Sequence, residues 1–199
     1  MLPIGYMAKR VTARPDWIAA ERVSDIYSVS GCMSRDFADY ISYWKHNGYG
    51  LFDSPQTILD IAREESIDLA GTTLFFYEAH EREFNDPEGR WTTVKPEPSF
   101  TTDVVVPAPK SLEGYDVVTF SVRTSAECSP LSCNMLASEV ETNTHCLLPS
   151  FERAKELLEA GRFRNTEPGP YRIIAVYTVA WPLDAAARKA PGNGERREP

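Results

Sequence analysis

The strongest constraint on this chain is a set of runs too rich in β-branched and aromatic residues to be surface helix: TTLFFYEAHEREF (72–84), YDVVTFSV (115–122) and PYRIIAVYTVAW (170–181). Such runs suit pleated, half-buried strands, and Pro87, Glu88 and Gly89 close the first of them. A shorter alternation, RVSDIYSVS (22–30), puts Val23, Tyr27 and Val29 on one face and predicts another strand, as do DVVV (103–106) and THCLL (144–148). Pro96, Pro98, Pro107 and Pro109 cannot sit in central strands, so a proline-rich loop is expected to join the 103–106 and 115–122 strands.

Helices are signalled between the strands. From Ser34, the segment SRDFADYISYWKHNG spaces Phe37, Tyr40, Ile41 and Trp44 as one apolar stripe, and Asn47-Gly48 can end it in the left-handed conformation. Ser54-Pro55 is a cap followed by proline at the first helical position; it opens a second helix buried along Ile58, Leu59, Ile61 and Ala62 and ending near Glu65. Ser150 caps a third, SFERAKELLEAGRF, with Glu152 at its positive end and Gly161 as its stop. THCLL, this helix and the last strand would form a right-handed βαβ crossover if the two strands ran parallel.

These elements predict a single α+β domain over residues 1–185, with a mixed or largely antiparallel sheet of about five to seven strands and three or four helices. The small, charged, turn-rich text of residues 186–199 predicts a disordered tail. No repeat with a period of 20 to 50 residues is visible.

With 42% hydrophobic residues in 199, the chain can bury a full core without staples. Its formal charge of −8 disfavours nucleic acid, whose non-specific affinity comes from Lys and Arg on phosphates. The opening MLPIGYMAKRV lacks the apolar run of a secretion signal, and no stretch is long enough to span a membrane. A cytoplasmic, soluble, acidic protein with no membrane partner is therefore expected; the sequence leaves oligomeric state open. In that compartment thiols stay reduced, so the four cysteines are not a disulfide framework.

Three of those cysteines and one of three histidines fall in ECSPLSCNMLASEVETNTHCLL (127–148). Ser129-Pro130 repeats the cap-then-proline signal, predicting a helix through Leu131, Met135, Leu136 and Val140. Cys128 and Cys133 then become the positions before the cap and four into the helix, which pack together as a hydrophobic staple. Two sulfurs beside the positive helix end would favour a thiolate, with Cys128 expected to have the depressed pKa.

Three chemistries fit: a redox pair with Cys133 resolving Cys128, a Cys128 nucleophile with His145 as base, or a metal site of Cys128, Cys133 and Cys146 (or His145) completed by Cys32, His46 or His80. Against them, reduced cysteine is commonly buried as a small hydrophobe, so the set can be purely structural. No cofactor is predicted outright; zinc is the ion such a set could hold.

A non-catalytic binding module is the other class. Glu78 and His80 share a strand face suited to metal binding or proton transfer, and Tyr43 and Tyr49 stand at an aromatic-rich helix end that could line a small-molecule or peptide groove. The phosphate-loop, dinucleotide, nucleophile-elbow and zincin motifs are absent.

Overall fold

The computed structural model describes residues 1–37, 46–94, 103–120 and 126–182. The helix expected from Ser34 falls largely on residues 38–45, which lie outside the described residues, as do Tyr43 and the expected tail from 186. Arg35 and Asp36, near that helix's expected start, are in strand instead.

The elements run β1 (Leu2–Arg10), β2 (Thr12–Ala13), β3 (Asp25–Ile26), β4 (Arg35–Asp36), α1 (Pro55–Glu64), β5 (Thr73–Ala79), β6 (Arg82–Asn85), β7 (Arg90–Thr93), β8 (Ser111–Thr119), α2 (Pro130–Cys133), a 3-10 turn (Leu136–Ser138), α3 (Phe151–Glu159) and β9 (Tyr171–Val179). Seven strands form one antiparallel sheet, β2 and β3 pair separately, and three α-helices complete an α+β fold among the described residues. No helix among them is long and apolar enough to cross a membrane.

The sheet's centre is β1-β5-β9-β8, and it is built twice. β1 carries a bulge between Pro3 and Gly5, and β8 one between Leu112 and Gly114. The glycines are required: a Cβ on Gly5 (φ +134) would sit 2.7 Å from Leu51 Cβ and 2.9 Å from Phe52 O, and one on Gly114 (φ +149) 2.8 Å from Leu147 Cβ and 2.9 Å from Leu148 O.

A turn governed by an asparagine approaches each bulge. Asn47 Nδ2 donates to Ile4 O (3.0 Å) while its Oδ1 accepts from the Tyr49 and Leu51 N–H groups (2.9 and 3.2 Å). Asn143 does the same with Glu113 O (2.6 Å), His145 N (2.9 Å) and Leu147 N (3.0 Å). The turns then bridge the outer strands at Tyr6–Phe52 and Tyr115–Leu148, so each protects a sheet edge.

Each turn leads into a helix capped by serine. Ser54 Oγ accepts from Thr57 N–H and Ser150 Oγ from Arg153 N–H, and α1 and α3 return as β5 and β9. β5 and β9 pair antiparallel with Tyr77 opposite Val176, the residues that pair with Gly5 and Gly114. That register places a local two-fold at the middle of the sheet and relates the two β-turn-α-β units.

Several expectations change. β8 and β9 are antiparallel and THCLL is a turn, so there is no parallel βαβ crossover. DVVV is not strand: Val105 and Val106 are exposed, and Val105 N–H bonds to Asp53 O (3.1 Å). The 72–84 run divides into β5 and β6, and the 22–30 alternation keeps only β3.

Strand alternation gives the central sheet two faces. Tyr6 and Ala8, with Tyr115 and Val117, point toward the helices; Phe151 of α3 meets Tyr115 at a 6.3 Å ring separation. Met7 and Lys9, with Asp116 and Val118, point to the opposite face, which the connections after β1 and β8 cover.

Candidate thiolate site

On that opposite face three charged side chains, Lys9, Asp116 and Arg172, are fully buried within otherwise apolar strands, and the first two organise the connections. Lys9 Nζ donates to the carbonyls of Ser28 (2.7 Å), Val29 (3.1 Å) and Ser30 (2.9 Å) and pairs with Asp36 Oδ1 at 3.2 Å. Buried charge is tolerated when its hydrogen-bonding capacity is filled, and here one ammonium gathers a whole turn.

Asp116 links that turn to the second connection. Its Oδ2 accepts from Ser28 Oγ (2.6 Å) and the Val29 N–H (3.3 Å), and its Oδ1 from Ser129 Oγ (2.6 Å). Burial pushes the Asp116 carboxyl above its usual range, against the opposing pull of those hydrogen bonds. A third tie is Ser30 Oγ, which donates to Glu127 O (2.9 Å) and accepts from the Cys32 N–H (3.2 Å).

The consequence is a convergence of three sulfurs. Cys32 Sγ, from the Lys9-bound turn, and the Sγ atoms of Cys128 and Cys133 all lie within 4.8 Å of one another. Cys32 is exposed and the other two are half-buried. Tetrahedral thiolates at the usual Zn–S distance stand roughly 3.8 Å apart, so small side-chain rotations would close the trio on one ion.

The local route to this geometry differs from the expected long helix. α2 is a single turn: Cys133 N–H bonds to Ser129 O (2.8 Å), and Met135 at φ 59 ends it in the left-handed region. The Ser129 hydroxyl caps nothing because Asp116 takes it. Cys128 and Cys133 still meet as a staple would bring them, but one turn supplies no sustained helix dipole.

Protonation is shared. In the protonated trio Cys32 Sγ is 3.2 Å from Glu127 O, to which its thiol donates. Once a proton leaves, hydrogen bonds from Cys128 and Cys133, reinforced by Ser30 and Lys9, hold Cys32 far below an ordinary thiol. Cys128 moves up through those same sulfur contacts and burial. Cys133 is also held up: Cys128 lowers it, but Cys32 and burial outweigh that effect. The downward direction thus falls on Cys32, the exposed member of the trio, and not on the half-buried Cys128 expected to carry it.

The other candidates have different settings. Cys146 is buried with φ 63 among Leu131, Val140 and Leu148, where desolvation raises its thiol to about 12. His145 Nδ1 faces Asp25 Oδ1 at 2.6 Å and Nε2 faces Glu113 Oε2 at 3.9 Å, with the ring stacked on Tyr27, so its polar partners are acids. Its backbone joins in: Tyr27 N–H donates to His145 O (3.0 Å).

Glu78 is engaged by Lys110 Nζ (2.5 Å) and Tyr177 Oη (2.8 Å). His80 packs between Trp91 and Phe151, and burial lowers its pKa. Tyr49 is buried, its ring 5.8 Å from the Arg172 guanidinium. A cavity at Ala8, Arg10, Arg35 and Phe37 has room for about one water and includes none of the cysteines.

Sequence reasoning named Cys32 only as a distant fourth ligand. The available signal was charge within apolar strand text, carried by Lys9 and Asp116 and equally by Arg172. Comparison with protein families, curated proteins and solved structures finds no match to this chain.

Proposed function

We propose that this protein binds a single thiophilic ion through Cys32, Cys128 and Cys133. The observation that carries the reading is the mutual approach of the three sulfurs within 4.8 Å, drawn from two connections that are far apart in sequence. Soft thiolates select ions such as zinc and copper(I). Lys9 and Asp116 are positioning residues: they fix the turns from which the sulfurs project.

A test is titration of the reduced, metal-free chain with Cd2+, followed by thiolate-to-metal charge-transfer absorption. Saturation at one ion per chain, with loss of the tight phase in Cys32→Ser, Cys128→Ser and Cys133→Ser, supports the reading. Equal saturation in all three variants and the wild type removes it.

The same trio favours a second, redox reading, because Cys32 combines exposure with a stabilised thiolate. Cys32 would then attack an external disulfide, and Cys128 or Cys133 would resolve the mixed disulfide, releasing the external thiol. Reversible oxidation by glutathione disulfide, with two thiols lost per chain, would favour this reading over ion binding.

A further inference from the structure

We propose that the ion best matched to this site is a trivalent, three-coordinate thiophile of the arsenite or antimonite class. The inference rests on the ion-binding reading above and names the class of ion.

Charge is the first argument. Three thiolates around a trivalent ion form a neutral unit, whereas a divalent ion leaves one negative charge and copper(I) leaves two. Net charge in a half-buried position is costly unless it is paired. Among the described residues, the cation acting on Cys32 is Lys9, which is already held by Asp36 at 3.2 Å and by three carbonyls. The Asp116 carboxylate is tied to Ser129, next to Cys128, and the whole chain carries −8. A neutral complex adds no further negative charge to these surroundings.

Donor number is the second. The cluster comprises three sulfurs, with no further His, Cys, Asp or Glu atom joining it among the described residues. A trivalent pnictogen carries a lone pair where a tetrahedral ion takes a fourth ligand, so three sulfurs complete its shell. The lone pair can face the side at which Cys32 is exposed, and the half-buried Cys128 and Cys133 close the inner side.

The step is ligand exchange without electron transfer. Arsenous acid, the Cys32 thiolate, two thiols and one solvent proton give the tris-thiolate and three waters: three As–O bonds break, three As–S bonds form, and each departing hydroxide takes up a proton.

The test offers arsenite to the full reduced chain in excess glutathione, with native mass spectrometry reading the adduct and Zn2+ and Cd2+ as competitors. The expected product is one arsenic per chain with three hydrogens lost, retained against glutathione. Removing one arm of a chelate should weaken retention by about 100-fold in Cys32→Ser, Cys128→Ser and Cys133→Ser, but not in Cys146→Ser. Because Cys32 is exposed, Cys32→Ser should melt with the wild type, which separates lost binding from lost fold.

Arsenite held no better by wild type than by Cys32→Ser, or displaced by equimolar Zn2+, overturns the trivalent assignment. If Cd2+ still takes three sulfurs in that case, ion binding stands. If neither ion is retained, the ion-binding reading falls as well.

Discussion

The two Asn-centred turns have the same backbone and different chemistry. In the first unit the positions around the turn carry Ile4, Met7, Tyr49 and Gly50; the structurally matching positions of the second carry Glu113, Asp116, His145 and Cys146. Since the first unit makes the turn, bulge and capped helix without any of the polar groups, the fold does not require them. The scaffold is common to both halves, and the site draws on each: Asp116, Cys128 and Cys133 belong to the second and Lys9 to the first. Cys32 is the first half's contribution, delivered across the molecule by Lys9 and Asp116.

The comparison breaks most sharply at the glycines. Gly5→Ala and Gly114→Ala should each cost about 3 kcal/mol, because both force a Cβ against backbone and side chain at positive φ. Chemical denaturation checks this, and a large difference between the two would argue against equivalent units.

Asp116→Ala should cost about 2–4 kcal/mol by leaving two buried hydroxyls and an N–H without their acceptor. It should also weaken Cd2+ binding. Met7→Ala at the matching position should lower stability while leaving that affinity unchanged.

A pH profile sharpens the contrast between cysteines. A lowered pKa keeps the Cys32 thiolate populated as pH falls, whereas raised pKa values leave Cys128 and Cys133 protonated. Iodoacetamide labelling should therefore map to Cys32 and persist at about pH 6, where ordinary thiols react slowly. Predominant labelling of Cys128 would reverse the assignment.

The smallest effect is expected at the fourth cysteine. Cys146→Gly substitutes the residue that stands at Gly50 in the other turn; about 1 kcal/mol of left-handed strain is relieved while a similar amount of apolar burial is lost. Stability and ion binding should both remain near wild type.

The capped helices were legible because their signals are local: a serine, a first turn and an apolar stripe lie within one segment. β1 was not, since Pro3 and Gly5 look like strand breakers and only the long-range turn at Asn47 explains their bulge. The duplication was equally hidden, as its shared residues are a Gly-Tyr pair, an asparagine, a leucine and a capping serine scattered through otherwise different text.

At the candidate site, proximity of Cys128 and Cys133 followed from five-residue spacing. The approach of Cys32 depends on tertiary hydrogen bonds spanning nearly a hundred residues, which no local pattern encodes. Charge inside apolar strands is a clue to buried networks: the partners of Lys9 and Asp116 hold the sulfurs, whereas Arg172, equally buried, donates to His80 O.

The most direct measurement is X-ray absorption at the cadmium edge on the one-to-one complex of the full reduced chain. The account predicts a first shell containing three sulfurs, reduced to two in Cys32→Ser. A shell dominated by oxygen or nitrogen, or one unchanged by that substitution, would contradict it.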